Sequence, residues 1–357
     1  MSMLALDRAL LVEKDTQILE LKDKISAIQR SISELRATKR SIQQRISSYK
    51  YPVLTLPTEI ITHIFLHCIP LYPEPPPLVG LRSPTTLTNI CRKWRQIALA
   101  TPRLWRALKL TPSYMLPPEE IVASIVALWT ERSACTPLSI FTNHSPQVMP
   151  HLLPHRSRWE YLNLDFDSGS QIKTLHIDGP MPLLRSLTLA VWDAVDTPLP
   201  LLEVPLLRTV VIDDHGPPSL VLPWSQLTSL TLRRTHPDAC LSILRAASQL
   251  VECRLRLWSQ HTPLGGGVVV LPRLESLVFE RKGEICRDFF QSLVTPALLR
   301  LEIPEAFLRP HSVETLKAFI SKSGCTLQSL QITELASLLS YCSYTVAFSS
   351  IPQVSFL

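Results

Sequence analysis

Between Leu11 and Tyr49 the apolar residues recur in alternating steps of three and four. The series runs Leu11, Ile18, Leu21, Ile25, Ile28, Ile32, Leu35, Ile42, Ile46 and Tyr49, with Lys14 and Lys39 filling the two gaps. That step is the heptad signature. Ile18, Ile25, Ile32 and Ile46 take position a, and Leu21 and Leu35 take d, a choice that favours a parallel two-stranded coil. Ile28 and Ile42, also at d, blur the preference. Lys39 at a weakens the seam locally while fixing register. No glycine or proline falls between Leu11 and Tyr49, as a long helix requires. The pattern predicts a coiled-coil helix over 1–51 with a seam of Ile18, Leu21, Ile25, Ile28, Ile32, Leu35 and Ile42. It pairs with a second copy into a homodimer, or else folds back on the chain's own domain.

The pattern then shortens. In LPTEIITHIFLHCIP, Leu56 to Pro70, Pro57 suits a first helical turn and Glu59 complements the helix dipole. Ile60, Ile64, Phe65 and Cys68 form an apolar stripe. The proline-rich LYPEPPPLVGLRS cannot be helical. Ser83–Pro84 opens a second helix, PTTLTNICRKWRQIALA, with Leu87, Ile90, Cys91, Trp94, Ile97 and Ala98 on one side and Arg92, Lys93 and Arg95 on the other. Thr101–Pro102 repeats the start signal just before Leu104–Trp105.

From Pro118 a further helix, PEEIVASIVALWTERS, leads to a short strand, PLSIF. A phrase of the form apolar-x-x-apolar-x-apolar then recurs, as in LLRSLTLAV, LLRTVVIDD, QLTSLTLRR and RLESLVFER. Its first apolar positions are Trp159, Ile172, Leu184, Leu207, Leu227, Leu250, Leu274, Leu298 and Leu327, spaced from Leu184 onward by 23, 20, 23, 24, 24 and 29 residues. If each phrase is a strand of one parallel sheet, the x positions share a face. Arg233, Arg254 and Arg256 gather there on neighbouring strands, with Trp258 two places beyond and Trp192 at the corresponding place in its own repeat. Arginine beside tryptophan is the composition of a binding hot spot. The alternative is that each tryptophan tucks under a return loop.

Composition narrows the function classes. Thirty-one prolines against nine glycines punctuate the chain into short elements. The net charge of +6 is scattered, without a block of five like charges, which argues against nucleic-acid binding. Eight cysteines form no C-x-x-C and read as thiols of a reducing compartment. No run of eighteen apolar residues predicts a membrane span. The stretch after Glu334 is uncharged, with six serines, and reads as a packed or frayed tail. His63/His67 and His151/His155 share helical spacing but lack the glutamate and third ligand of a zinc site. Gly265–Gly267 lacks the lysine of a phosphate loop, and Asp213-Asp214-His215 has no nucleophile motif. The residues suggest no enzyme, no metal and no cofactor.

Leu56-Pro57-Thr58-Glu59-Ile60, Cys91-Arg92-Lys93-Trp94 and Leu104-Trp105, in that order and spacing, resemble the F-box. The resemblance implies a small helical bundle docking on a Skp-type adaptor, and through it on a cullin, as the substrate-recognition subunit of an SCF-type ubiquitin ligase. Carried onto this chain, Leu56, Pro57, Ile60 and Ile64 are adaptor-facing; Trp94 and Trp105 are core, or core shared with the adaptor. The connecting loop is longer than the family's usual one. The recurring phrase is similar to degenerate leucine-rich repeats, whose asparagine or cysteine is missing from most copies. The expected class is α/β: a coiled-coil helix (1–51), an F-box-like bundle (52–110), a helical linker and first strand (111–155), a leucine-rich-repeat-like solenoid (156–334) holding a protein target, and the uncharged tail (335–357). The expected location is cytoplasm or nucleus. The rival is a non-ligase scaffold built on the coil and the repeats.

Overall fold

The computed structural model describes residues 3–48, 52–110, 119–143, 149–166, 179–191, 199–214, 220–258, 267–280, 287–335 and 338–356. The chain divides into two compact units, 1–61 and 62–357. In the first, helix α1 (Met3–Ser48) runs 46 residues without a break, as the absence of helix breakers dictates. Its apolar seam is open to solvent, from 42% exposure at Ile32 and Ile42 to 67% at Leu35. A short turn, Pro52–Thr55, leads into α2 (Thr58–Cys68), where the Pro57 carbonyl accepts the Ile61 N–H at 3.1 Å.

The predicted second helix is broken in two, α3 (Pro84–Ile90) and α4 (Arg92–Leu99), with Cys91 extended between them. The Thr- and Asn-bearing first half is a poor helix former, and the Cys91 Sγ accepts the Trp94 N–H at 3.4 Å, capping the second half. Ser83 is the N-cap of α3, accepting the Thr85 N–H at 3.2 Å. Helix α5 (Glu119–Arg132) follows where Pro118 announces it.

Among the described residues, eleven strands form one sheet in which every neighbouring pair is parallel and spatial order follows chain order. They are β1 (Ala107–Leu110), β2 (Leu138–Asn143), β3 (Trp159–Phe166), β4 (Ser186–Val191), β5 (Thr209–Asp214), β6 (Ser229–Thr235), β7 (Glu252–Leu257), β8 (Ser276–Phe279), β9 (Arg300–Pro304), β10 (Ser329–Thr333) and β11 (Gln353–Phe356). The sheet therefore starts inside the expected F-box-like segment and continues through the uncharged tail. WRALKL and IPQVSF carry the recurring phrase too, with Trp105 and Ile351 as first apolar residues. In the tail, helix Leu338–Ala347 buries Tyr344 just before β11. The phrase QIKTLHIDG, with Ile172, lies outside the described residues.

The core explains the phrase. Leu162, Leu187, Val210, Leu230, Cys253, Leu277, Leu301 and Leu330 stand in register across adjacent strands, all at most 3% exposed. Each such leucine contributes about 1.5–3 kcal/mol by leaving water. The first apolar residue of each phrase closes a turn. Leu184, Leu207, Leu274 and Leu298 donate N–H to Met181, Val204, Leu271 and Thr295 at 3.1–3.4 Å. Pro182, Pro205, Pro272 and Pro296 fill the second place of those turns, where a fixed φ is wanted. One residue on, Arg185, Arg208, Thr228, Val251, Glu275, Leu299 and Gln328 each donate N–H to the equivalent carbonyl one strand back, at 2.8–3.0 Å.

Candidate functional site

On α2 the adjacent isoleucines part company. Ile61 is fully buried and Ile60 is 48% exposed, Pro57 is exposed, and Leu56 and Ile64 are half-buried. The buried side thus belongs to Ile61 and Phe65 rather than to the predicted stripe through Ile60 and Cys68. The Phe65 ring meets Trp94 edge-on, centroids 4.9 Å apart. The Trp94 indole N–H is buried without an acceptor. Trp105 is 1% exposed; it donates its indole N–H to the Ala98 carbonyl at 2.9 Å, meets Trp129 edge-on at 5.2 Å and lies under the Arg132 guanidinium. As the first apolar residue of the β1 phrase it is core of the sheet and presents no docking surface.

The long proline-rich loop is pinned to the sheet. Tyr72 donates its hydroxyl to Glu160 at 2.8 Å, meets Tyr161 edge-on and carries the Arg106 guanidinium 3.6 Å above its ring. Burial, then the bond to Glu160, pushes the Tyr72 phenol well above its usual range, and burial draws Arg106 down. Ser139 donates to the Pro73 carbonyl at 2.7 Å. Further along, the Ser83 and Thr85 hydroxyls both donate to Leu78. The sequence shows a loop that cannot be helical; its anchors are single polar residues on distant segments, which carry no pattern.

The polar positions of the strands share a face as expected. Asp213, Arg233 and Arg256 stand in one row, and Arg254 faces Thr231. Arg233 reaches past β7 to Glu280, with three contacts of 2.9–3.1 Å that raise its pKa further. Arg234, at the irregularity closing β6 and in the left-handed conformation, pairs with Asp213. Asp213, Arg233, Arg256 and Glu280 hold the same place in successive phrases, which puts opposite charges in one row but does not say that Arg233 passes Arg256 to reach Glu280. No ion pair among the described residues joins Arg254 or Arg256. A shallow hollow of about 230 Å³ opens over β6–β9, lined by Ser229, Thr231, Glu252, Arg254, Ser276 and Arg300. Trp258 is 44% exposed beside it in sequence, and Trp192 lies outside the described residues.

The His63 and His67 rings lie tilted to one another on α2, centroids 6.1 Å apart, and no cluster of three metal-ligating side chains occurs among the described residues. No described helix is long and apolar enough to cross a membrane.

No protein-family model matches the chain, and no curated protein matches it. Among solved structures, a chain of a crystal structure of the Rad7 and Elc1 complex in yeast is similar over 87% of this chain and 95% of that one, with 12% identity and a TM-score of 0.33. A likeness that distant says nothing of what this chain does.

Proposed function

We propose that this chain is a substrate-recognition subunit of an SCF-type cullin-RING ubiquitin ligase. It docks a Skp-type adaptor, and through it a cullin, with Leu56, Pro57, Ile60 and Ile64. Trp94 holds that helix in place through Phe65, and Trp105 is core. The recurring phrases form a leucine-rich-repeat-like solenoid whose polar face, with Arg254, Arg256 and Trp258, takes the target protein; Arg233 is engaged by Glu280. The chain performs no chemistry itself and works in the cytoplasm or nucleus. It raises the effective concentration of a target near a ubiquitin-charged partner.

One observation carries this reading: α2 keeps an apolar residue, Ile60, half in water while its neighbour Ile61 is wholly buried. With Pro57 exposed as well, Ile60 leaves the start of α2 apolar on its outer side, at the places that face the adaptor in the F-box this segment resembles. The test is equilibrium binding of the full chain to a purified Skp-type adaptor. Ile60→Arg is expected to weaken binding at least about tenfold while leaving unfolding free energy within about 0.5 kcal/mol, as at other exposed sites. Equal affinity of the two proteins, or no binding by the wild type, overturns it. The exposed seam of α1 favours a second reading, a scaffold without ligase partners, which the latter outcome would leave in place.

A further inference from the structure

The heptads place the charges of α1 unevenly. Because the helix runs unbroken through the whole register, each residue's position around the seam follows from the sequence. Within the seam and at the flanking e and g positions stand seven basic residues, Arg8, Lys14, Lys22, Lys24, Arg36, Lys39 and Arg45, against two acidic ones, Asp7 and Asp15. The other acidic residues of the helix, Glu13, Glu20, Asp23 and Glu34, fall at c and f, on the far side. The docking stripe is net basic, and four of the helix's six acidic residues face away from it.

A second copy meets this stripe badly in either orientation. In a parallel pair, each seam residue faces itself, so Lys14 meets Lys14 and Lys39 meets Lys39. The flanking g-to-e contacts, such as Lys24 with Gln29 and Ser31 with Arg36, then contain no ion pair. In the antiparallel pair that keeps the six apolar layers from Ile18 to Leu35 facing one another, the next layer outward sets Lys14 against Lys39 inside the seam at both ends, and the attractive contact of Asp15 with Arg36 lies only at its rim. Seam lysines and flanking charges decide partner choice in such helices.

We propose that α1 pairs with a helix of a different chain, one with acidic flanks and an acidic residue opposite Lys14 and Lys39. This is independent of adaptor docking by α2. The exposed Ile18–Leu35 seam supplies the apolar contact, and opposite charges on the partner turn the repulsion of two copies into attraction.

The test uses the full chain and a labelled synthetic helix about five heptads long, with leucine at a and d, glutamate at e and g, and glutamate opposite the two lysines. A control peptide carries lysine in place of every glutamate. The acidic peptide is expected to bind at least about 100-fold more tightly than the control and to weaken roughly tenfold between about 0.05 M and 0.5 M salt, as screening shortens the reach of the flanking charges. The Ile25→Asp, Ile28→Asp double variant is expected to lose the binding while retaining adaptor affinity. Equal binding of both peptides, or of neither, overturns the proposal. So does a chain that sediments as a dimer at low salt and becomes a 40.3 kDa monomer in the double variant.

Discussion

Cys253 illustrates how the phrase tolerates an unusual residue. It fills a leucine place in the buried row between Leu230 and Leu277, and burial pushes its thiol up to about 12 from a usual 9.0. Tyr344 is pushed up to about 12 from 10.0, chiefly by burial. In both cases the folded chain holds the proton more tightly than the unfolded one. Their contribution to stability is therefore complete below about pH 9 and is lost as pH rises from 9 towards 12. Denaturant midpoints are expected to hold between about pH 8 and 9 and to fall from about pH 9 to 11, as the two groups begin to lose their protons in the unfolded chain. Cys253→Ala should start lower, because it opens a cavity, yet decline less steeply; parallel declines would mean that the thiol contributes nothing to the slope. Arg233 shows the opposite limit of sequence reasoning. The sequence puts it with Arg254 and Arg256 in a candidate binding hot spot, whereas Glu280, one strand further on than its neighbour, holds it. A side chain that crosses a strand to reach its partner leaves no trace in local pattern.

Among elements, the break at Cys91 has a direct test. A thiol is a weak acceptor, and serine at an N-cap is among the best residues for accepting a first-turn N–H. Cys91→Ser is expected to raise unfolding free energy by up to about 1 kcal/mol, and Cys91→Ala to lower it by a similar amount. A serine variant less stable than the alanine one would show that the cap bond at Cys91 is not what starts α4. The long elements were legible because their periods are distinctive. Heptads delineate α1, and the recurring phrase gave β3 to β10 apart from the copy outside the described residues. Two further copies, WRALKL and IPQVSF, were missed because one sits in the F-box-like motif and the other in a serine-rich tail. Their neighbours suggested other roles. Pro182, Pro205, Pro272 and Pro296 also signal the phrase, each two residues before its first leucine, by fixing the turn that aims the strand. On α2 the sequence could not choose between Ile60 and Ile61, since adjacent apolar residues fit neighbouring stripes equally well and only packing decides which is buried.

For the molecule as a whole, two surfaces of different chemistry follow from one logic. Where the chain can close its own core it does so with leucine, valine and proline-fixed turns, and the polar positions line the open face of the sheet. Where apolar residues are exposed, at Ile60 and along α1, the chain offers contact area to a partner. Hydrogen exchange of the full chain with and without a Skp-type adaptor locates the first of these uses most directly, because protection reports backbone covered by a partner. Proposed docking through α2 predicts added protection across 56–68 on adaptor binding, with the amides of β6–β9 unchanged. Protection confined to the sheet, or no change anywhere at saturating adaptor, would contradict it.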